Sequence, residues 1–74
     1  MNNYCRKLIG DYLKEFIDIK PGYLYSDEVV IKQGIGILIN NGIFTPKELK
    51  KDIARKCAVI IPLDDIKKWA KDWE

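Results

Sequence analysis

Two cysteines, one serine, one threonine and eleven carboxylates are among the groups in this chain that could serve as nucleophile, base or metal ligand, and histidine is absent. Cys5 and Cys57 are far apart in sequence, and neither has an imidazole to raise its thiolate fraction. A zinc site would need a CxxC pair or a Cys/His cluster, and the sequence has neither. Ser26 and Thr45 both stand where helices begin, so each has a structural task as an N-cap. Asp64 and Asp65 are neighbours in sequence, so on a helix they diverge by about 100° and do not converge on one ion. Gly34-Ile35-Gly36 lacks the further glycine and lysine of a phosphate loop. This inventory predicts no catalytic residue, no metal, no cofactor and no small-molecule substrate. The chain is expected to work by binding.

The side chains that remain define surfaces. Lys47, Lys51 and Arg55 recur at i, i+4, i+8 with Lys50 beside them, and residues 45–58 carry five positive and two negative charges. Like charges one turn apart cost a helix about 0.2–0.5 kcal/mol per pair, so a partner is one reason to keep them and a solvated face is the other. A basic helix after a helical corner is the arrangement of helix-turn-helix DNA binders. The fit is incomplete: the turn is long, Leu38 stands where a small residue is usual, and Glu48 falls at a position normally buried. The net charge is only +2, and lysine outnumbers arginine, the residue preferred for bidentate phosphate and guanine contacts. Trp69 and Trp73 share a face at i, i+4, and tryptophan is enriched among residues that dominate protein interfaces. Protein–protein contact, as adaptor, inhibitor or regulator, is therefore the first expectation, with DNA binding through the basic helix the alternative. The candidate partner-binding residues are Trp69, Trp73, Lys47, Lys50, Lys51 and Arg55.

The elements that must position them follow from period and punctuation. Residues 3–19 place Tyr4, Cys5, Leu8, Ile9, Tyr12, Leu13, Phe16, Ile17 and Ile19 on one helical arc, and Lys20-Pro21-Gly22 stops the helix. A second helix starts at Ser26 and runs to about residue 41, apolar over more than half its girth and so the central helix of a small domain. Gly34 and Gly36 each cost about 1 kcal/mol inside a helix, and Asn41-Gly42 between apolar runs also suits a β-hairpin over residues 37–44. Wheel and caps favour the helix. Thr45-Pro46-Lys47-Glu48 is a capping box with proline in the first turn, opening a third helix over 46–58 that buries Leu49, Ile53 and Cys57. Val59-Ile60-Ile61 either extends it or forms a short extended segment at 58–61, and a last helix spans 62–73. The stretch Val59-Ile60-Ile61-Pro62-Leu63-Asp64-Asp65-Ile66-Lys67-Lys68-Trp69 resembles the strand-into-final-helix ending of small excisionase-like winged-helix proteins. The two short helices and basic wing that precede it in those proteins are not recognisable here, so no family is assigned.

These elements make a compact all-α bundle of four short helices in one domain of 74 residues, 47% hydrophobic and 32% charged. No apolar run approaches the roughly 20 residues of a membrane span, and the N-terminus has no signal-peptide core. A cytoplasmic location is expected, with both cysteines reduced and buried. The Lys- and Ile-rich, catalytically empty composition fits a phage, virus or plasmid product. The apolar girth of helix two, with Tyr23, Tyr25 and Trp73, leads us to expect a homodimer.

Overall fold

A computed structural model describes residues 3–22 and 25–72 of the chain. Four α-helices are present, with no strand among the described residues: α1 (Asn3–Tyr12), α2 (Asp27–Asn40), α3 (Pro46–Cys57) and α4 (Leu63–Asp72). Helix α2 lies between α1 and α4, and α3 packs on α4 and α1.

The first helix departs from its expected course. After Tyr12 it winds into a π-helical segment, Leu13–Ile17, and ends at Asp18 in the left-handed conformation with φ 59°. Both Asp18 and Ile19 donate their N–H to the Leu13 carbonyl. The chain thus leaves the helix before Pro21 can stop it. The wider turn keeps Leu13 buried, sets Phe16 beside Tyr12, and leaves Phe16 46% and Ile19 38% exposed. Tyr4, also assigned to the apolar arc by period, is 75% exposed.

Helix α2 starts as predicted: the Ser26 hydroxyl accepts from the Val29 N–H at 3.3 Å, with Asp27 and Glu28 in the first turn. Its broad apolar girth is covered within the chain. Val30, Ile31, Gly34, Ile35, Gly36 and Leu38 are buried, and Ile37 and Ile39 pack against the same core. At Gly34 the helix lies directly against α1, where a Cβ would stand 2.2 Å from Cγ2 of Ile9. The glycine that weakens the helix locally is what lets α1 cross it. Helical structure continues to Asn40, so Asn41-Gly42 ends a helix and does not turn a hairpin. Gly42, at φ 74°, donates to the Ile39 carbonyl, and Ile43 donates to that of Leu38, both at 3.0 Å. That pair of bonds is a Schellman closure.

The connection before α2 is held by Arg6, whose guanidinium donates to the carbonyls of Tyr25 (2.8 Å) and Gly22 (3.1 Å) and to Asp27 (2.9 Å). At the next corner, Glu48 N–H donates to Thr45 Oγ1 at 3.2 Å and Thr45 N–H to Glu48 Oε1 at 3.0 Å, which completes the capping box. Helix α3 buries Leu49, Ile53 and Cys57 and ends at Ala58, left-handed with φ 54°. Residues 59–62 belong to no helix or strand and lead into α4, whose Ile66 and Ala70 are buried. The Asn40 amide fastens the far end of α4 by donating to the Ala70 carbonyl at 2.7 Å.

Cys5 and Cys57 meet in this core. Burial, with Cys57 as neighbour and hydrogen-bond partner, pushes the Cys5 thiol from an ordinary 9.0 to about 11. No helix among the described residues is long and apolar enough to cross a membrane.

Candidate protein-binding surfaces

The basic helix is built around one carboxylate. Asp52 faces α1, where it accepts a short hydrogen bond from the Tyr12 hydroxyl. Its other oxygen accepts from Arg55 at 2.9 Å and lies 3.5 Å from the Lys56 ammonium. Lys56 donates to the Tyr12 oxygen at 2.7 Å, with its ammonium 5.2 Å from the centroid of the Tyr12 ring. Burial pushes the Tyr12 hydroxyl above its ordinary 10.0, and the bond to Asp52 adds to this. Burial alone would raise Asp52, but the Tyr12, Arg55 and Lys56 donors together hold it below its ordinary 3.8. The Tyr12 ring also touches Phe44 (centroids 5.1 Å apart) and Phe16 (5.7 Å), and Phe16 stands edge-on to Phe44 at 6.2 Å. Beside this latch lies an open hollow of about 470 Å³ lined by Phe44, Glu48, Lys51, Asp52 and Arg55.

Of the basic residues singled out from the sequence, Lys51 and Arg55 line this hollow; Lys47, Lys51 and Arg55 are exposed and Lys50 is half-buried. They are not equivalent, because Arg55 is held by Asp52. Lys47, Lys50 and Lys51 form no ion pair among the described residues. Helix α3 makes its main contacts with α4 and α1 and few with α2, whereas a helix-turn-helix packs its two helices on one another. Tyr12, Asp52 and Lys56 were not singled out from the sequence. Tyr12 lies 40 residues from Asp52 and 44 from Lys56, and no local pattern links them.

A second surface lies at the connector before α4. Val59 is half-buried and Ile61 only 5% exposed, while Ile60 between them is 81% exposed. Beside Ile60, Trp69 is half-buried and packs on the core, with the Lys32 ammonium 5.6 Å from its ring centroid. Lys32 is itself paired with Glu28 at 2.7 Å. A hollow of about 310 Å³ lies between them, lined by Glu28, Lys32, Ile60, Pro62, Asp65 and Trp69 among others. Trp69 is thus brought to a surface that the basic residues of α3 do not share, and Trp73 lies outside the described residues. The exposed member of this set, Ile60, was legible only as part of an apolar run. Consecutive residues in an open connector cannot all turn inward, which is the signal that one of the three would be outside.

Among the described residues no three His, Cys, Asp or Glu side chains gather as a metal site requires. Comparison with protein-family models, with curated proteins and with solved structures gives no match.

Proposed function

We propose that this protein is a non-catalytic binding module that docks another protein through the ledge formed by Ile60 and Trp69. The observation that carries this reading is Ile60: an aliphatic side chain 81% exposed, seated between a half-buried Val59 and a buried Ile61. Such a side chain gains by leaving water, at about 25 cal/mol per Å² of apolar surface covered. A protein surface can cover it, whereas a phosphate backbone cannot. The rim of Glu28, Lys32 and Asp65 around the apolar centre resembles the polar border of protein interfaces. Trp69 packs on the core with the Lys32 ammonium 5.6 Å from its ring, so one side of the ledge is supported before a partner arrives. The module acts as an adaptor, inhibitor or regulator in the cytoplasm, where Cys5 and Cys57 stay reduced. A second copy of the chain is one partner such a ledge admits.

The test is affinity capture from the source cells with wild type and with Ile60→Asp, alongside a mobility shift of random duplex DNA at low salt. The expected result is a partner retained by wild type and lost by the variant, with unchanged melting and no duplex shift. A partner that is indifferent to Ile60→Asp overturns the reading. A duplex shift abolished by reversing Lys47, Lys51 and Arg55 to glutamate moves the function to DNA.

A further inference from the structure

We infer that the hollow beside α3 is a second docking site, separate from the Ile60 ledge, and that it takes an acidic segment of a partner protein. One aromatic or aliphatic side chain of that segment lies against Phe44 and Phe16, with neighbouring carboxylates on Lys51 and Lys47. The two hollows share no lining residue.

Charge complementarity carries the choice of occupant. Two carboxylates line the α3 hollow, and both are already engaged. Glu48 accepts from the Thr45 N–H, and Asp52 accepts from Tyr12 and Arg55 with Lys56 close by. The cations are only partly engaged: Lys51 on the wall and Lys47 one turn earlier are exposed, with no ion pair among the described residues. The lining alone balances Lys51 and Arg55 against Glu48 and Asp52, and Lys47 and Lys56 beside it leave the excess charge offered to a partner positive. This face also offers apolar surface, because Phe16 is 46% exposed and set edge-on to Phe44. The Tyr12 ring behind both holds the aromatic group in a fixed arrangement.

The same lining favours a peptide over a nucleic acid. A phosphodiester chain is charged at every residue and has no apolar side chain to set against the Phe44 and exposed Phe16 rings, whereas a peptide can put carboxylates on the lysines and one apolar residue between them. Lysine meets a carboxylate as a point charge and needs no fork geometry.

The experiment is selection of a displayed random-peptide library on the immobilised full chain. Anisotropy of a selected peptide follows, on wild type, Lys51→Glu, Phe16→Ala and Ile60→Asp, with random duplex DNA as competitor. Enriched peptides should carry aspartate or glutamate around one apolar residue. Reversing Lys51 should weaken binding at least about tenfold, as loss of a close charge pair does, and Phe16→Ala should weaken it severalfold. Ile60→Asp should leave it unchanged, so failure here and failure of the ledge are read separately. Lys51 and Phe16 are exposed, and melting curves check that the variants fold; Lys51→Glu alone decides if Phe16→Ala does not. No acidic enrichment, equal binding by Lys51→Glu, or displacement by duplex DNA overturns the inference.

Discussion

The ledge at Ile60 and the hollow at Phe44 are open to solvent for different reasons. At the ledge, three apolar residues follow one another in a connector, and the chain buries Ile61 while leaving Ile60 outside. At the hollow, a π-helical turn shifts Phe16 outward, and Asp52 engages Arg55 and Lys56 but not the lysines around them. One surface is apolar and held from beneath by burial. The other is basic and aromatic and is held from behind by a polar latch. A small domain can thus carry two unlike surfaces on one core, provided that their supports are separate.

Breaking each support separately sharpens that contrast. The largest effect is expected from Ile61→Ala, which empties the site beneath the ledge. Isoleucine-to-alanine changes in a core cost about 2–5 kcal/mol, and a thermal melt should show the loss. Next is Gly34→Ala, which tests the α1–α2 contact in the core that both surfaces share. Helix propensity alone predicts a gain of about 1 kcal/mol. A Cβ 2.2 Å from Ile9 Cγ2 predicts the opposite, an overpacking cost of about 1–3 kcal/mol. The sign of the change in denaturation midpoint decides between them.

Asp52→Asn attacks the latch alone and should cost about 1.5–3 kcal/mol, the range for hydrogen bonds to a charged group. Its effect has a pH signature. The folded carboxyl lies below the ordinary 3.8, so the unfolded chain binds the proton first as pH falls. The contribution of Asp52 is complete above that value and is lost as pH drops through the depressed one. Stability profiles of wild type and variant should therefore converge below about pH 4. Parallel profiles would mean that ionisation of Asp52 is not linked to folding. The smallest of these effects is Thr45→Ala, about 1 kcal/mol through loss of the cap. An unchanged melt would show that the box at the corner does not hold α3.

The parts of the fold legible in sequence are those written locally. Gly42, Thr45, Pro46 and Glu48 stop one helix and start the next within a few residues, and the structure shows the bonds those residue types imply. The stripe Leu49, Ile53, Cys57 is likewise buried as its period requires. What was not legible depends on contacts across the chain. Gly34 reads as a helix breaker until Ile9 is seen against it. No local pattern marks Arg6, whose bonds reach Gly22, Tyr25 and Asp27, 16 to 21 residues away. The π-helical turn removes the 3.6-residue period on which the placement of Phe16 and Ile19 relied. For the candidate surfaces, the exposed lysines were visible as spacing on α3. That Arg55 belongs to Asp52, and that Ile60 is the outward residue of its run, required the fold.

The claim that binding resides in the ledge is tested most directly by titrating the captured partner into wild type and Ile60→Asp. Melting curves run in parallel report on the fold. A central interface side chain is worth about 2 kcal/mol or more. The account therefore predicts an affinity loss of about 30-fold or greater with the melting temperature unchanged. Equal affinity for the two proteins would contradict it.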